Sequence, residues 1–190
     1  NCTHLGQGMD ICWHNEREVR VSREEYLEMS ACKTGCLGRI VAQLAAIVTQ
    51  QDEDTRRHVA DYAEKMSIAF QIGDDILDIE HSLDQAGDFG KAFGNDIREG
   101  KKTLLVIHAM EVADPETAAR LAAILEAPDN SDDEIREAID ILLETDSLAY
   151  AKRQAQDLAS AARDHLDAVD HLREEPKADL AAFTRFVVDR

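Results

Sequence analysis

Proline, glycine and aromatic residues are scarce in this chain of 190 residues. It has three prolines and nine glycines, and aromatic side chains make up 5% of it. Because proline and glycine interrupt helices, their scarcity leaves room for long helical segments. The sequence shows no strand-length alternation of apolar and polar residues and no internal repeat. We therefore predict an all-α helical bundle that forms a single domain over residues 1–190.

Basic residues are also few. Lysine and arginine together number 21, against 39 aspartates and glutamates, which gives a formal net charge of -18. Repulsion at long range opposes the approach of nucleic acid or of an anionic membrane surface, so we expect no nucleic-acid partner. An acidic surface with few lysines is typical of proteins that stay soluble at high salt, where self-repulsion is screened. We therefore predict a halophilic source.

Long apolar runs and a cysteine framework are missing as well. No stretch approaches the roughly 20 apolar residues of a membrane span, so we expect no transmembrane segment. The four cysteines are Cys2, Cys12, Cys32 and Cys36. Their spacing matches no common zinc pattern and implies no disulfide framework, so we expect small buried apolar side chains and a cytoplasmic location.

Three carboxylates lie within five positions of an otherwise apolar helical segment: Asp74, Asp75 and Asp78. Spacings of three and four residues allow all three to project from one face of a helix. Clustered carboxylates repel one another unless a cation lies between them, and Mg²⁺ prefers such oxygen ligands. The alternative is a solvated helix face, which an acid-rich chain easily produces. The apolar flanks favour a buried helix, where carboxylates need partners.

Lysines cluster near these carboxylates in the sequence. The chain has seven lysines, and four of them fall around residue 33 and between residues 91 and 102. Carboxylate-held Mg²⁺ beside lysines indicates a ligand that bears phosphate groups.

The remaining pattern predicts a succession of helices. Ser22 with Glu25 and Ser131 with Glu134 form capping boxes, and Pro115 follows Asp114 at a first helical turn. We expect Lys33-Thr34-Gly35 to interrupt or follow the helix that starts near residue 23. Residues 36–50 are apolar enough to be central, residues 81–100 are loop-like, and Pro176 breaks the chain before a last helix. The other predicted helices cover residues 3–14, 54–80, 104–110, 131–144 and 146–172.

Four motifs in this order resemble those of the trans-isoprenyl diphosphate synthases, the polyprenyl synthetase family. The motifs are Gly6-Gln7-Gly8-Met9-Asp10, Tyr26-Leu27-Glu28-Met29 with Lys33-Thr34-Gly35, Phe70-Gln71-Ile72 with Asp74 to Asp78, and Phe89-Gly90-Lys91 through Gly100-Lys101-Lys102-Thr103. The resemblance extends over essentially the whole chain. It implies an isoprenoid-synthase helical bundle, and with the acidic composition it suggests a haloarchaeal protein.

The resemblance implies a prenyl-transfer reaction. Members of the family join an allylic diphosphate to isopentenyl diphosphate and release pyrophosphate. The leaving group carries several negative charges, so Mg²⁺ and lysines must hold that charge in a site closed to water. We accordingly expect Mg²⁺ as the cofactor, the two diphosphates as substrates and a homodimer as the assembly.

The family pattern assigns roles to the acidic residues. It places Mg²⁺ on Asp74, with Asp75 and Asp78 as further ligands or supporting groups. Gln7 and Asp10 would support the lysines that bind substrate.

The same pattern assigns catalytic and substrate-binding roles to five further residues. Lys33 and Lys101 would meet the allylic diphosphate, and Lys91 would close over it from a glycine-rich loop. Thr34 and Gln71 would lie beside the reacting carbons.

One departure from the family pattern concerns a second carboxylate cluster. The family has a first aspartate-rich motif on an earlier helix, and the bulky residues before that motif set product length. Only one D-D-x-x-D occurs in this chain, with the flanks of the second motif. We expect that the chain is the C-terminal part of a longer enzyme, that N-terminal helices are missing, and that these residues alone have little or no synthase activity.

Two other functions stay open. One is a non-catalytic regulatory subunit of a heteromeric prenyl synthase, which the intact aspartates and lysines disfavour. The other is a terpene cyclase of the same fold, which would lack the Gly90-Lys91 and Lys101–Thr103 elements.

Overall fold

The structure is a computed structural model that describes residues 1–15, 20–84 and 94–189. Within these residues it is helical and contains no strand, which confirms the all-α prediction. Ten α-helices and one π-helical segment are described. They are α1 (Cys2–Asn15), α2 (Arg23–Ser30), the π segment (Ala31–Gly35), α3 (Cys36–Val48), α4 (Glu53–Asp84), α5 (Asn95–Arg98), α6 (Leu104–Val112), α7 (Pro115–Glu126), α8 (Asp132–Glu144), α9 (Ser147–Asp167) and α10 (Glu174–Asp189).

The chain divides into two compact units. The first unit comprises Asn1–Gln7, Leu27–Gly73 and Arg153–Arg190, and the second comprises Gly8–Tyr26 and Asp74–Lys152. That residues 1–190 form a single domain stays a prediction.

The core of the first unit lies between α4, α9 and α10. Tyr62 and Met66 of α4 pack with Leu166 of α9 and Val187 of α10, and all four are buried. Tyr62 Oη also donates a hydrogen bond to the backbone oxygen of Leu180 at 2.9 Å. Small alanines on α4 and α9 allow the helices to approach closely, so a few large side chains fill this core.

The core of the second unit is built from α6, α7 and α8, and the starts of α7 and α8 follow the predicted signals. The side chain of Asp114 accepts hydrogen bonds from the first turn of α7, and Pro115 occupies the first helical position. Ser131 and Glu134 form a capping box at the start of α8. The predicted apolar helix from residue 104 is confirmed: five residues of α6, Leu104 to Ile107 and Ala109, are buried.

Several predicted boundaries were wrong. Helix α4 extends beyond residue 80 to Asp84, and part of the expected loop forms the short helix α5. Helix α9 ends at Asp167 rather than near residue 172. Pro176 does not break the chain, because it lies in the first turn of α10, where a backbone N–H has no helical partner to lose.

The Lys33-Thr34-Gly35 interruption is confirmed as a π-helical segment between α2 and α3. Its close neighbour is α1. A Cβ placed on Gly6 would lie 2.3 Å from the backbone nitrogen of Lys33, so only glycine permits this approach. The predicted capping box before α2 is also present, because Ser22 N donates to Glu25 Oε2 at 2.8 Å and Glu25 N donates to Ser22 Oγ at 3.2 Å.

The expectation that residues 36–50 are central was wrong for the described chain. Only Cys36 and Ala46 of α3 are buried, whereas Val41 and Val48 are 68% and 80% exposed. Among the described residues, the helical stretch Arg23–Val48 is long and apolar enough to cross a membrane by length and composition, contrary to our expectation. Mostly buried core helices of soluble proteins satisfy the same criterion, whereas 17% of the apolar window of this stretch is buried.

The cysteines follow the expected burial only in part. Cys36 is buried, and its thiol donates to the backbone oxygen of Cys32 at 2.9 Å. Cys32 is partly buried, but Cys2 and Cys12 are exposed. The prediction was wrong for these two because α1, which carries both, buries only Gly6.

Candidate functional site

The three aspartates of α4 lie in the second unit and differ in burial. Asp75 is buried, Asp78 is partly buried, and Asp74 is exposed. The expectation of a buried helix therefore holds for Asp75, while Asp74 presents its carboxylate to solvent. Asp74 and Asp78 are four positions apart, so their carboxylates lie one helical turn apart on the same side of α4.

Asp75 is held by a tyrosine from α2. Tyr26 Oη donates a hydrogen bond to Asp75 Oδ2 at 2.7 Å, and the two side chains are only 2% and 6% exposed. A buried carboxylate needs such a donor, so this contact fixes the rotation of α4 at the start of the acidic motif.

Asp78 belongs to a cluster with Asp96 and Lys101. Its Oδ2 accepts a hydrogen bond from the backbone N–H of Asp96 at 3.3 Å. Lys101 Nζ donates to Asp96 Oδ1 and also forms an ion pair with Glu99 at 3.2 Å. Two carboxylates and a lysine are thus brought together from α4, α5 and the segment after α5.

Burial and neighbouring charges both shift the pKa values of this cluster. Burial raises the pKa of Asp78, and the neighbouring charge of Asp96 raises it further, while Lys101 and backbone N–H groups oppose the rise. Burial alone would lower the pKa of Lys101, but its contacts with Asp96 and Glu99 raise that pKa above its ordinary value. The lysine is therefore fully charged at neutral pH, and an added cation would stabilise the charged form of Asp78.

A glycine anchors this cluster to α4. Ser82 Oγ donates to the backbone oxygen of Asp78 at 2.6 Å and accepts from the backbone N–H of Gly94 at 2.8 Å. Gly94 has φ +58°, and a Cβ at this position would lie 2.4 Å from Cγ2 of Ile135. Glycine is required here for both reasons, and it sets the start of α5 and hence the place of Asp96.

In the first unit, the π segment presents the predicted lysine and threonine. Thr34 Oγ1 donates a hydrogen bond to Gln71 Oε1 of α4 at 3.2 Å. Lys33 is partly buried. The structure therefore brings together two of the residues that the family pattern places beside the reacting carbons.

A groove of about 890 Å³ starts at Thr34 and follows α3 and α4. Its lining is mostly apolar and includes Phe70, Met66 and Leu37, with Phe183 from α10. Such a groove can hold a hydrocarbon chain away from water.

The other predicted site residues are placed less specifically. Gln7 is exposed and Asp10 is partly buried, both on α1. Lys91 lies outside the described residues. Within residues 1–15, 20–84 and 94–189, no group of three or more His, Cys, Asp and Glu side chains is arranged to hold a metal ion. The carboxylate oxygens of Asp74 and Asp78 are nonetheless of the type that Mg²⁺ binds.

Sequence reasoning assigned no site role to two residues that contact the acidic motif. Asp96 stands five residues before Lys101, and the short helix α5 that connects them carried no sequence signal of its own. Tyr26 was part of a family motif, but its partner Asp75 is 49 positions away. Only the fold pairs these two side chains.

Comparison with known proteins identifies the family. The family model described as Polyprenyl synthetase matches residues 1–142. The chain is 40% identical over 147 residues to a short chain isoprenyl diphosphate synthase of Methanocaldococcus jannaschii, covering 77% of this chain and 42% of that protein.

Solved structures agree with this match. The geranylgeranyl pyrophosphate synthetase of Pyrococcus horikoshii superposes with a TM-score of 0.85 at 33% identity and covers 100% of this chain and 55% of its own. The geranylgeranyl pyrophosphate synthase of Corynebacterium glutamicum, solved with isoprenyl diphosphate and magnesium, gives 0.85 at 26% identity and covers 100% and 52%. The chain thus spans about half the length of these relatives.

Proposed function

Because the chain belongs to the polyprenyl synthetase family, we propose that it provides diphosphate-binding machinery for a trans-prenyltransferase. The reaction would join an allylic diphosphate to isopentenyl diphosphate and release pyrophosphate. The observation that carries this proposal is the cluster of Asp78, Asp96 and Lys101, which lies on the acidic motif within the segment that the family model matches.

Asp74 and Asp78 would hold Mg²⁺, since Asp74 is exposed and Asp78 is partly buried, whereas Asp75 is buried. Asp75 is committed to Tyr26 and would position α4 instead. When bound, Mg²⁺ would neutralise charge on the diphosphate leaving group. The magnesium in the Corynebacterium glutamicum relative supports this choice of metal.

Lys101 would bind a diphosphate oxygen. Its raised pKa keeps it cationic at neutral pH, and its present partner Asp96 holds it close to Asp78. A fixed cation in a partly buried site stabilises charge that develops on a leaving group. Lys33 would act similarly from the π segment, and Lys91 would close over the diphosphate, as the family pattern implies.

Thr34 and Gln71 would orient the reacting carbons, because Thr34 lines the groove and its hydrogen bond holds Gln71 beside it. The allylic hydrocarbon would lie in the groove, where apolar side chains exclude water. Exclusion of water matters because water would quench an allylic cation.

The chain holds one aspartate-rich motif, so we propose that these 190 residues alone have little turnover. A regulatory subunit is the second candidate, and the retained Asp74, Lys33 and Lys101 argue against it. The homodimer and the cytoplasmic location stay predictions.

Calorimetric titration of the 190-residue chain with a non-hydrolysable farnesyl diphosphate analogue tests the proposal. With Mg²⁺ present, we expect binding that Asp74→Asn weakens at least ~10-fold, since a carboxylate ligand is lost. The matched control is Asp157→Asn, an exposed aspartate of α9, which should change the affinity less than ~2-fold. Equal affinities for the two variants would remove Asp74 from the site. In a separate turnover assay with farnesyl diphosphate and isopentenyl diphosphate, robust product from the chain alone would refute the expected inactivity.

A further inference from the structure

Two histidines meet where α4 and α9 face each other in the first unit. Nδ1 of His58 on α4 lies 3.2 Å from Nδ1 of His165 on α9, and the centroids of the two rings are 5.4 Å apart. The residues are 107 positions apart in the sequence, so only the fold pairs them. Neither histidine takes part in the proposed function.

A carboxylate lies beside this pair. Asp61 follows His58 by three positions on α4, and its Oδ2 lies 3.9 Å from Nδ1 of His165. Its other oxygen, Oδ1, accepts a hydrogen bond from Arg39 of α3, which also donates to Glu64 at 2.8 Å. The arginine therefore holds the carboxylate in place beside the histidines. Negative charge next to two imidazoles favours a bound cation.

His165 is in the protonation state that binds metals. Burial lowers its pKa; Asp61 and Asp164 oppose this shift, while Lys65 and His58 reinforce it. The imidazole is therefore neutral at neutral pH, and a neutral ring nitrogen is the form that coordinates a metal. The side chains of His165 and Asp61 are 27% and 23% exposed, so an ion from solvent can reach them.

The separation of the two ring nitrogens fits a tetrahedral zinc ion. Zn–N bonds are about 2.0–2.1 Å long, so two nitrogen ligands of a tetrahedral ion lie about 3.3–3.4 Å apart. The separation in this structure is 3.2 Å. The terminal torsion of a histidine side chain is broad, so a modest rotation of each ring turns both nitrogens toward a shared ion.

We infer that His58 and His165 form a binding site for Zn²⁺, with water at the remaining coordination positions. Asp61 would accept a hydrogen bond from one of these waters. Nitrogen ligands suit zinc and the late first-row metals, whereas Mg²⁺ prefers oxygen, so this site is distinct from the one proposed at Asp74 and Asp78. With two protein ligands, it is an exchangeable clamp between α4 and α9. The inference does not depend on the proposed function.

Calorimetric titration of the 190-residue chain with Zn²⁺ in excess Mg²⁺ tests the site, because Mg²⁺ occupies carboxylates and leaves imidazoles available. His58→Asn and His165→Asn should each weaken Zn²⁺ binding at least ~10-fold, since each removes one of the two nitrogen ligands. Asparagine keeps a polar amide between the helices. His81→Asn replaces an exposed histidine of α4, is the matched control and should change the affinity less than ~2-fold.

Two further measurements identify the atoms and the effect. In long-range proton–nitrogen correlation spectra of the unsubstituted chain, Zn²⁺ should shift the Nδ1 resonances of His58 and His165 and leave His81 unchanged. In thermal scans by circular dichroism, Zn²⁺ should raise the midpoint more for the unsubstituted chain than for His58→Asn or His165→Asn, because the ion binds the folded helix pair. The cysteines are the same in every variant, so the differences report the histidines.

Equal Zn²⁺ affinity in the unsubstituted chain and all three variants would overturn the inference and leave an ordinary hydrogen bond between two imidazoles. Stationary Nδ1 resonances of His58 and His165 on addition of Zn²⁺ would overturn it as well. If circular dichroism shows that an asparagine variant does not fold, the spectra of the unsubstituted chain decide alone.

Discussion

The contact between Tyr26 and Asp75 gives a sharp test of how the acidic motif is positioned. Tyr26→Phe removes one hydroxyl and keeps the ring, so the packing around a side chain that is 2% exposed should be preserved. Asp75, itself 6% exposed, would lose the donor that lies 2.7 Å from its Oδ2. Loss of a partner from a buried polar group costs about 1–3 kcal/mol.

Urea unfolding followed by tryptophan fluorescence measures this cost in the relevant unit. The single tryptophan, Trp13, belongs to the second unit, as do Tyr26 and Asp75. We expect the free energy of unfolding of Tyr26→Phe to fall by about 1–3 kcal/mol, with an unchanged dependence on urea concentration. In a thermal scan the midpoint should fall by about 2–4 °C for each kcal/mol.

Tyr150→Phe is the matched control. Tyr150 also lies in the second unit, and its ring stacks on His108 with centroids 4.0 Å apart, a contact that phenylalanine retains. This variant should change the free energy by less than about 0.5 kcal/mol. A double-mutant cycle with Asp75→Asn should give a coupling energy of about 0.5–3 kcal/mol. If Tyr26→Phe is as stable as Tyr150→Phe, the hydrogen bond does not position α4.

Three further predictions concern pH, a glycine and salt. Burial lowers the pKa of His165 below its ordinary value of 6.5, and Asp61 partly offsets this, so the stability linked to the neutral imidazole is present above pH 6.5 and lost as the pH falls. His165→Gln should therefore reduce the dependence of the free energy of unfolding on pH between about pH 7 and pH 5. The same pH dependence in the variant and the unsubstituted chain would contradict this. Gly94→Ala should lower the free energy of unfolding by about 1–3 kcal/mol, because φ is +58° and Ile135 blocks the Cβ. Gly8→Ala, with nothing within 4 Å of its Cβ, should instead stabilise α1 by about 0.5–1 kcal/mol. Denaturant titration of both variants measures the two changes. The net charge of -18 should make the chain less stable in 0.05 M than in 2 M KCl, as measured by thermal scans, and equal stability in both would refute a halophilic adaptation.

Local signals in the sequence were sufficient to predict most of the helices. Capping boxes at Ser22 and Ser131 and the proline after Asp114 marked helix starts that the structure confirms, because a cap depends on residues within one turn. Pro176 was misjudged for the same local reason. A proline that ends one helix cannot be distinguished from a proline in the first turn of the next helix unless the residues that follow it are also considered.

The site was predictable as a list of residues and not as a set of contacts. The acidic motif is visible because its members stand within five positions. The residues that hydrogen bond to the motif are distant in sequence: Tyr26 is 49 positions from Asp75, and Asp96 is 18 positions from Asp78. Such pairs depend on how the helices pack, which depends on tertiary structure that no local spacing encodes.

The exposed face of α3 is apolar, and some of its residues line the groove. Apolar area left in water favours association, by about 25 cal/mol for each Å² that becomes buried, and Val41 and Leu44 are among the residues that expose such area. The net charge of -18 opposes association between copies at low salt. High salt screens that repulsion and leaves the apolar attraction in place. A hydrocarbon chain bound in the groove, which Val41 also lines, would cover part of the same surface and should compete with self-association most strongly at high salt.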